Sequence, residues 1–393
     1  KWQPFIYQEA MGNLSTPKIR FPDFKGDWIN NSLGEIAKFS KGKGISKEDI
    51  SESGETECIR YGELYTTYNE TIDTVFSKTN IDTLNLVLSE ANDIIIPASG
   101  ETQIDIAKAS CVLKSGIALG GDLNIIKSPN NGVFLSYYLN SKKKVDIAQL
   151  AQGISVVHLY AGQLSKLQLR IPSLPEQQKI ASFFTAIDQK IYQLKHKKTL
   201  LEHYKKGVMQ KIFSQEIRFK DVNGQEFPKW EKKKLNDVAE IKYGKDQKGI
   251  ACENGQYPIL GTGGVMGRTN EFLSDKPSVL IGRKGTIDKP FFIDTPFWTV
   301  DTLFYTIVLS NVNAKWLYYN LIKVDWYKYN EASGVPSLST STINKIPINL
   351  PSIGEQTRIA NFLSAIDDKI YHTQKQIEKA GVWKKGLMQQ MFC

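Results

Sequence analysis

The chain has 393 residues, of which 41% are hydrophobic and 23% charged, the make-up of an ordinary globular protein with room for two or three domains. No apolar run of about 18 residues is present, so no membrane-spanning helix is predicted. The four cysteines (Cys58, Cys111, Cys252, Cys393) lack paired spacing, which points to neither a zinc site nor a disulfide framework and fits a reducing, cytoplasmic setting. A net charge of +9 points weakly to an anionic partner.

In chain order, residues 1–19 read as an N-terminal extension. Its first ten residues match nothing later and lack the apolar core of a secretory signal, so Met11 is read as the natural start and the preceding residues as an added remnant. Residues 20–171 form a first domain rich in Gly, Thr, Tyr and short β-type runs, such as 92–98. It opens on Phe21-Pro22-Asp23-Phe24, continues through Leu33-Gly34-Glu35-Ile36-Ala37, and ends in a helix-like Tyr137-Tyr138 stretch and a glycine loop at 152–156. Residues 172–214 read as one long helix.

A second domain follows at 215–350 and echoes the first. It opens on Phe227-Pro228-Lys229-Trp230, continues with Leu235-Asn236-Asp237-Val238-Ala239, and ends in Tyr318-Tyr319 and a loop at 333–337. Between these, Ile96-Pro97-Ala98-Ser99-Gly100 parallels Ile281-Gly282-Arg283-Lys284-Gly285, and Gly121-Asp122-Leu123 is aligned with Val300-Asp301-Thr302. Residues 351–393 are a second long helix.

The two helical segments are a repeat. Residues 171–214 and 350–393 align without a gap and are identical at 19 of 44 positions, with the identities at the two ends and none between 193–204 and 372–383. Ser173 and Ser352 precede Glu176 and Glu355 by three residues, the capping-box spacing, and Pro175 falls in the first turn, where its missing donor does little harm.

Apolar residues keep a seven-residue beat in two columns, Ile180, Ile187, Leu194, Leu201, Val208 and Phe184, Ile191, Lys198, Lys205, Ile212. The second copy gives Ile359, Ile366, Thr373, Ala380, Leu387 and Leu363, Ile370, Ile377, Lys384, Met391. Four-then-three spacing is a coiled-coil seam. Helices of about 40 residues, roughly 60 Å long, exceed what an ordinary domain helix needs. Antiparallel pairing of one copy on the other is favoured over pairing between two chains.

Catalytic signatures are missing. There is no phosphate-binding G-x-x-x-x-G-K-[ST] loop, and no Asn/Asp-Pro-Pro-aromatic motif of the kind that holds a target amino group. Gly261-Thr262-Gly263-Gly264-Val265-Met266 begins like a dinucleotide fingerprint, but Met266 stands where a small residue is needed, so a tight turn is expected. Glu231-Lys232-Lys233 fits the tail of a nuclease motif, yet lies in a basic stretch where solvated charge explains it. His158, His196, His203 and His372 read as surface residues.

The doubled Pro-Ser-(Leu/Ile)-x-Glu-Gln…Ile-Ala-x-Phe…Ala-Ile-Asp-x-Lys-Ile helix, with Lys-Lys-Gly-x-Met-Gln near its end, resembles the conserved regions of Type I restriction–modification specificity subunits. Gly354, where the first copy has Pro175, departs from the pattern and should loosen the second helix start. The resemblance implies an α+β, pseudo-twofold chain, with two mixed α/β target-recognition domains joined by two long helices in an antiparallel coiled coil.

It also implies a non-catalytic reader of double-stranded DNA, each domain taking one half of a split, asymmetric target. Two adenine-methyltransferase subunits and two translocase–endonuclease subunits would be its partners. S-adenosylmethionine, ATP and Mg would then belong to those partners, with no cofactor in this chain. The rival reading is a coiled-coil interaction scaffold that binds no DNA.

Base edges are read by Arg, Lys, Asn, Gln, Ser or Thr on loops, and phosphates by Lys, Arg and backbone N–H groups. In the first domain the candidates are Lys41, Lys43, Arg60, Tyr61, Ser99, Glu101, Thr102, Gln152, Ser155 and His158. In the second they are Lys245, Lys248, Thr262, Arg268, Arg283, Lys284, Thr286, Ser333, Ser337, Ser339 and Thr340. Lys195, Lys197, Lys198, Lys205 and Lys206 on the first helix could meet phosphates or solvent. Phe183 and Phe362, which the seam does not need, are candidates for docking the methyltransferase subunits.

Overall fold

The computed structural model describes residues 7–8 and 16–392. The remnant read at 1–10, apart from a two-residue strand at Tyr7–Gln8, and Cys393 lie outside the described residues. The chain divides into two compact units, residues 1–194 with 375–393, and residues 195–374. The division cuts through both long helices, so each unit holds one mixed α/β domain, half of the central helix (Leu174–Phe213) and half of the distal helix (Ile353–Met391).

In the first unit a five-stranded sheet runs in the order Lys38–Lys41, Leu123–Lys127, Ile94–Pro97, Ser110–Val112, Thr71–Ile72. A three-stranded sheet runs Ala118–Leu119, Thr56–Ile59, Ser77–Thr79, with its first pair parallel. The apolar run Ile94-Ile95-Ile96 is a strand buried on both faces. Ile94 and Ile96, with Ile126, pack against Phe134 and Tyr138 of the helix Gly132–Ser141, while Ile95 and Ile125 pack with Ile59 and Leu119 on the other side. The period of two thus splits one run between two cores, and each isoleucine contributes about 1.5–3 kcal/mol by leaving water.

The second unit repeats the plan. Its four-stranded sheet runs Ala239–Tyr243, Leu303–Val308, Ser278–Gly282, Phe291–Ile293, and its three-stranded sheet Gly264–Thr269, Tyr257–Gly261, Trp298–Thr299. Val279 and Ile281 face the helix side and Leu280 the other. Gly261 and Gly264 face each other across the two-residue loop Thr262-Gly263, so the glycine-rich segment is a hairpin turn. Glu231-Lys232-Lys233 lies in the strand Glu231–Lys234, paired antiparallel with Pro347–Leu350, as Ile29–Ser32 pairs with Gln168–Ile171 in the first unit.

All twenty residues of the two heptad columns are buried or half-buried in the two helices. In the first unit Phe184 and Ile187, early in the central helix, share a core with Leu387, Met391 and Phe392 from the end of the distal helix, an antiparallel arrangement. In the second, Met209 and Ile212 share a core with Ile359, Leu363 and Ile366.

Three buried or half-buried polar links recur at matching positions of the repeat. Asp188 accepts from the Tyr137 hydroxyl at 2.6 Å and from Lys384 Nζ, which also reaches Glu70 at 3.0 Å. Asp367 accepts from the Tyr319 hydroxyl at 2.6 Å and from Lys205 Nζ at 2.6 Å. Both lysines also lie over the tyrosine rings, 5.0 and 5.2 Å from the centroids. Lys205, read from sequence as solvated or as a phosphate contact, is therefore an interhelical partner.

Gln177 and Gln356, both about fully buried, tie each helix start to a neighbouring loop. Their side-chain oxygens accept from the Asn131 and Asn313 backbone N–H groups, and their amides donate to the Pro172 and Pro351 carbonyls.

The third link corrects the predicted capping boxes. Glu176 does not turn back on Ser173. Its carboxylate accepts from Arg20 Nε and Nη2, both at 2.7 Å, and from the Trp28 indole at 3.3 Å. Glu355 likewise accepts from Arg218 Nε at 3.1 Å and Nη2 at 2.7 Å and from the Trp230 indole at 2.9 Å, while Ser352 Oγ is buried without a partner. The charge-assisted fork outcompetes a neutral backbone donor.

The domain openings correspond accordingly, Arg20-Phe21 to Arg218-Phe219 and Trp28 to Trp230, not Phe21-Pro22 to Phe227-Pro228. The distal helix begins at Ile353, the position equivalent to Leu174 at the start of the central helix. A Cβ on Gly354 would stand 3.0 Å from the Phe227 ring, which favours glycine there.

Candidate nucleic-acid interface

In the first unit the Lys41–Gly44 loop is pinned by Gly42 N–H to the Leu123 carbonyl and Lys43 N–H to the Leu119 carbonyl, both 3.0 Å. A Cβ on Gly42 would lie 1.9 Å from the Gly120 carbonyl, so glycine is required by close approach. Gly120 N–H donates to the Ile59 carbonyl at 2.9 Å, bringing Arg60 to the same place. Val157–His158 pairs antiparallel with Ser99–Gly100, and Lys41 Nζ lies 5.8 Å from the Tyr160 ring, itself stacked on His158. Tyr65 donates to the Ser99 carbonyl at 2.6 Å and meets Tyr61 edge-on. Burial pushes the Tyr65 phenol above its ordinary value.

The second unit builds the same frame from other residues. Gly244 N–H donates to the Leu303 carbonyl, Lys245 N–H to the Thr299 carbonyl and Val300 N–H to the Leu260 carbonyl. A Cβ on Gly244 would lie 2.0 Å from the Val300 carbonyl. Lys284 bridges Ser337, Gly285 N–H donates to the Pro336 carbonyl, and Thr262 Oγ1 lies 3.8 Å from where a Gly285 Cβ would be. Arg283 stacks 5.2 Å above Tyr243, whose hydroxyl is 3.2 Å from Thr340 Oγ1. These bonds register Gly120 with Val300, so Asp301 stands at the Gly121 position and Thr302 at that of Asp122, one residue from the alignment read in the sequence.

Lys41, Lys43, Arg60, Tyr61, Ser99, Gln152 and His158 thus gather on one frame, and Lys245, Thr262, Arg283, Lys284, Ser337 and Thr340 on the other. Their settings differ. Ser99 is buried, and Gln152 is paired through its backbone with His158. Thr102 caps the short helix Gln103–Ile106 beside exposed Glu101, and Ser339 caps Thr340–Ile343. The Ser339 and Thr342 hydroxyls hold the Glu331 carboxyl below its ordinary value.

Ser155, Lys248 and Ser333 are exposed, and Thr286 is half-buried. Arg268 has turned inward on its own turn, giving Nε to the Gly255 carbonyl at 2.6 Å and Nη2 to the Gln256 carbonyl at 2.8 Å, so its fork is committed to structure. Phe183 packs against Phe21, Phe184 and Trp383, and Phe362 against Phe219. Both are half-buried and pack within their units.

Sequence reasoning missed Asp188, Asp367, Arg20 and Arg218. The recurrence of Arg-Phe ahead of a tryptophan, at 20–28 and again at 218–230, was the available signal. Tyr243, which sets the Arg283 side chain, was also missed.

Comparison with known proteins agrees with this plan. The family described as the Type I restriction modification DNA specificity domain matches twice, over residues 25–203 and 228–380. A Type I restriction enzyme specificity subunit (MjaVIII) of Methanocaldococcus jannaschii is 26% identical, over 94% of this chain and 92% of its own. A putative type I specificity subunit of Mycoplasma pneumoniae is 24% identical, over 62% of this chain and 68% of its own.

Among solved structures, the Type-I restriction-modification S subunit of M. genitalium superposes with a TM-score of 0.67 at 18% identity, covering 96% of this chain and 99% of that one. A chain from a structure concerned with complex assembly and conformational transition of the type I R-M system gives 0.55 at 15% identity, covering 93% and 97%. No described helix is long and apolar enough to cross a membrane. With both halves matched, the chain belongs to the Type I restriction–modification specificity subunits, the non-catalytic components of those systems.

Proposed function

We propose that each domain reads one half of a two-part, asymmetric DNA target, and that the paired helices fix the spacing between the halves. In the cytoplasm the chain would dock two adenine-methyltransferase subunits, with two translocase–endonuclease subunits completing the complex. S-adenosylmethionine, ATP and Mg would act in those partners. One observation supports this most: a single backbone frame, pinned by Gly42 in one unit and Gly244 in the other, displays unlike polar side chains. A shared frame suits equivalent contacts with identical partners, and unlike side chains suit unlike half-sites.

The test is to express the chain with its methyltransferase and map methylated bases across a genome. One two-part sequence is expected, and replacing residues 218–349 with another subunit's domain should change one half alone. Change in both halves, or in neither, would refute the modular reading.

A further inference from the structure

We infer that Arg283 reads a guanine in the half-site of the second domain and that Tyr243 is its positioning residue. This rests on the reading above that the frame meets DNA. Backbone bonds identify the position. Ala98 N–H donates to the Asp122 carbonyl and the Ala98 carbonyl accepts from Leu159, while Arg283 N–H donates to the Thr302 carbonyl and the Arg283 carbonyl accepts from Leu338. The same backbone site therefore carries a methyl group that is 4% exposed in one domain and a guanidinium whose side chain is 29% exposed in the other.

That guanidinium is already held. It stacks on the Tyr243 ring and gives Nη1 to the Asp301 carbonyl at 3.1 Å, and Tyr243 is itself fixed by an edge contact with Phe304 and by Thr340. Rotamer freedom that a long side chain ordinarily loses on binding is lost in advance. Among the described residues Nε and Nη2 make no hydrogen bond, leaving one edge with two parallel donors. Two such donors match the O6 and N7 acceptors of guanine in the major groove. A phosphate fits less well, because the exposed Asp301 carboxylate stands 3.9 Å from Nη1 and repels an anion. The first domain has a point charge near this place, Lys41 over Tyr160, which offers no fork.

The test uses the full chain with its methyltransferase on duplexes in which each base of the wild-type target is varied in turn. Wild type should prefer G·C at one position of the second half-site by about 5- to 150-fold. R283A should abolish that preference and R283K weaken it, and both should leave every other position unchanged. Y243L should weaken it and Y243F retain it. An unmoved preference in R283A overturns the assignment. So does a uniform loss of affinity across all sequences with a salt slope reduced by about one, the mark of a phosphate contact. A wild-type chain that selects no two-part target overturns the underlying reading, and this assignment with it.

Discussion

Removing Arg218 should destabilise the second unit more than removing Glu355, although both changes break the same ion pair. Glu355 is 0% exposed and has three donors, two from Arg218 and one from the Trp230 indole. In Arg218→Ala the carboxylate stays buried with one neutral donor, which places the cost at about 3–5 kcal/mol. In Glu355→Ala the guanidinium, 25% exposed, keeps the Phe227 and Pro228 carbonyls and gains water, while the Trp230 N–H loses its acceptor. About 1–3 kcal/mol follows.

For a unit of this size each kcal/mol moves the melting temperature by about 2–4 °C. Calorimetry should therefore find losses of roughly 6–20 °C and 2–12 °C respectively. The double variant should be no less stable than Arg218→Ala alone, since no charge is then left stranded. Equal losses in the two single variants, or additive losses in the double, would show that desolvation of the carboxylate does not govern this link. Arg20→Ala and Glu176→Ala should rank the same way in the first unit, where the two side chains are 15% and 1% exposed.

Alkaline pH should loosen both units. Burial first, then the neighbouring Asp188 and Asp367, raise the Tyr137 and Tyr319 phenols above their ordinary value. A raised folded value means that this stabilisation is complete below the unfolded value, about 10, and declines as pH rises beyond it. Melting temperature should fall above about pH 10, and a Tyr137→Phe/Tyr319→Phe variant should fall less steeply; parallel curves would count against the assignment. Gly42→Ala and Gly244→Ala should each cost about 1–3 kcal/mol and depress methylation of the wild-type target, because the new Cβ meets a carbonyl. Gly263→Ala, with nothing within 4 Å, should change neither, and like behaviour in all three would contradict the close-approach account.

What the sequence disclosed was whatever depends on neighbours in the chain. The heptad columns are a property of one helix, so every predicted seam position, including the lysines at 198, 205 and 384, is buried or half-buried. Glu176 and Glu355 show the opposite case. Their spacing from Ser173 and Ser352 is that of a capping box, but an arginine 156 or 137 positions away holds the carboxylate. No local pattern distinguishes the two outcomes. The Asp301 register was missed for the same reason, since it is fixed by Val300 N–H reaching Leu260 across the sheet.

The distribution of identities in the repeat follows from where these links fall. Glu176 and Gln177 at one end, Asp188 within the first turns, and Lys205 near the other end each have a polar partner and a counterpart 179 residues on that makes the equivalent bond. Between 193 and 204 the seam asks for side chains of suitable size rather than for one identity.

The frames obey a similar division. Gly42 and Gly244, where a Cβ would strike a carbonyl, are glycine in both domains, whereas the equivalent sites of Ala98 and Arg283 carry unlike side chains on matching backbone bonds. The ladder bonds on both sides of that site are made by main-chain atoms alone, so one backbone arrangement carries a methyl group in the first domain and a guanidinium in the second. Recognition can therefore diverge at that position at little cost to stability, and for this reason Arg283→Ala should relax the target while leaving the fold intact.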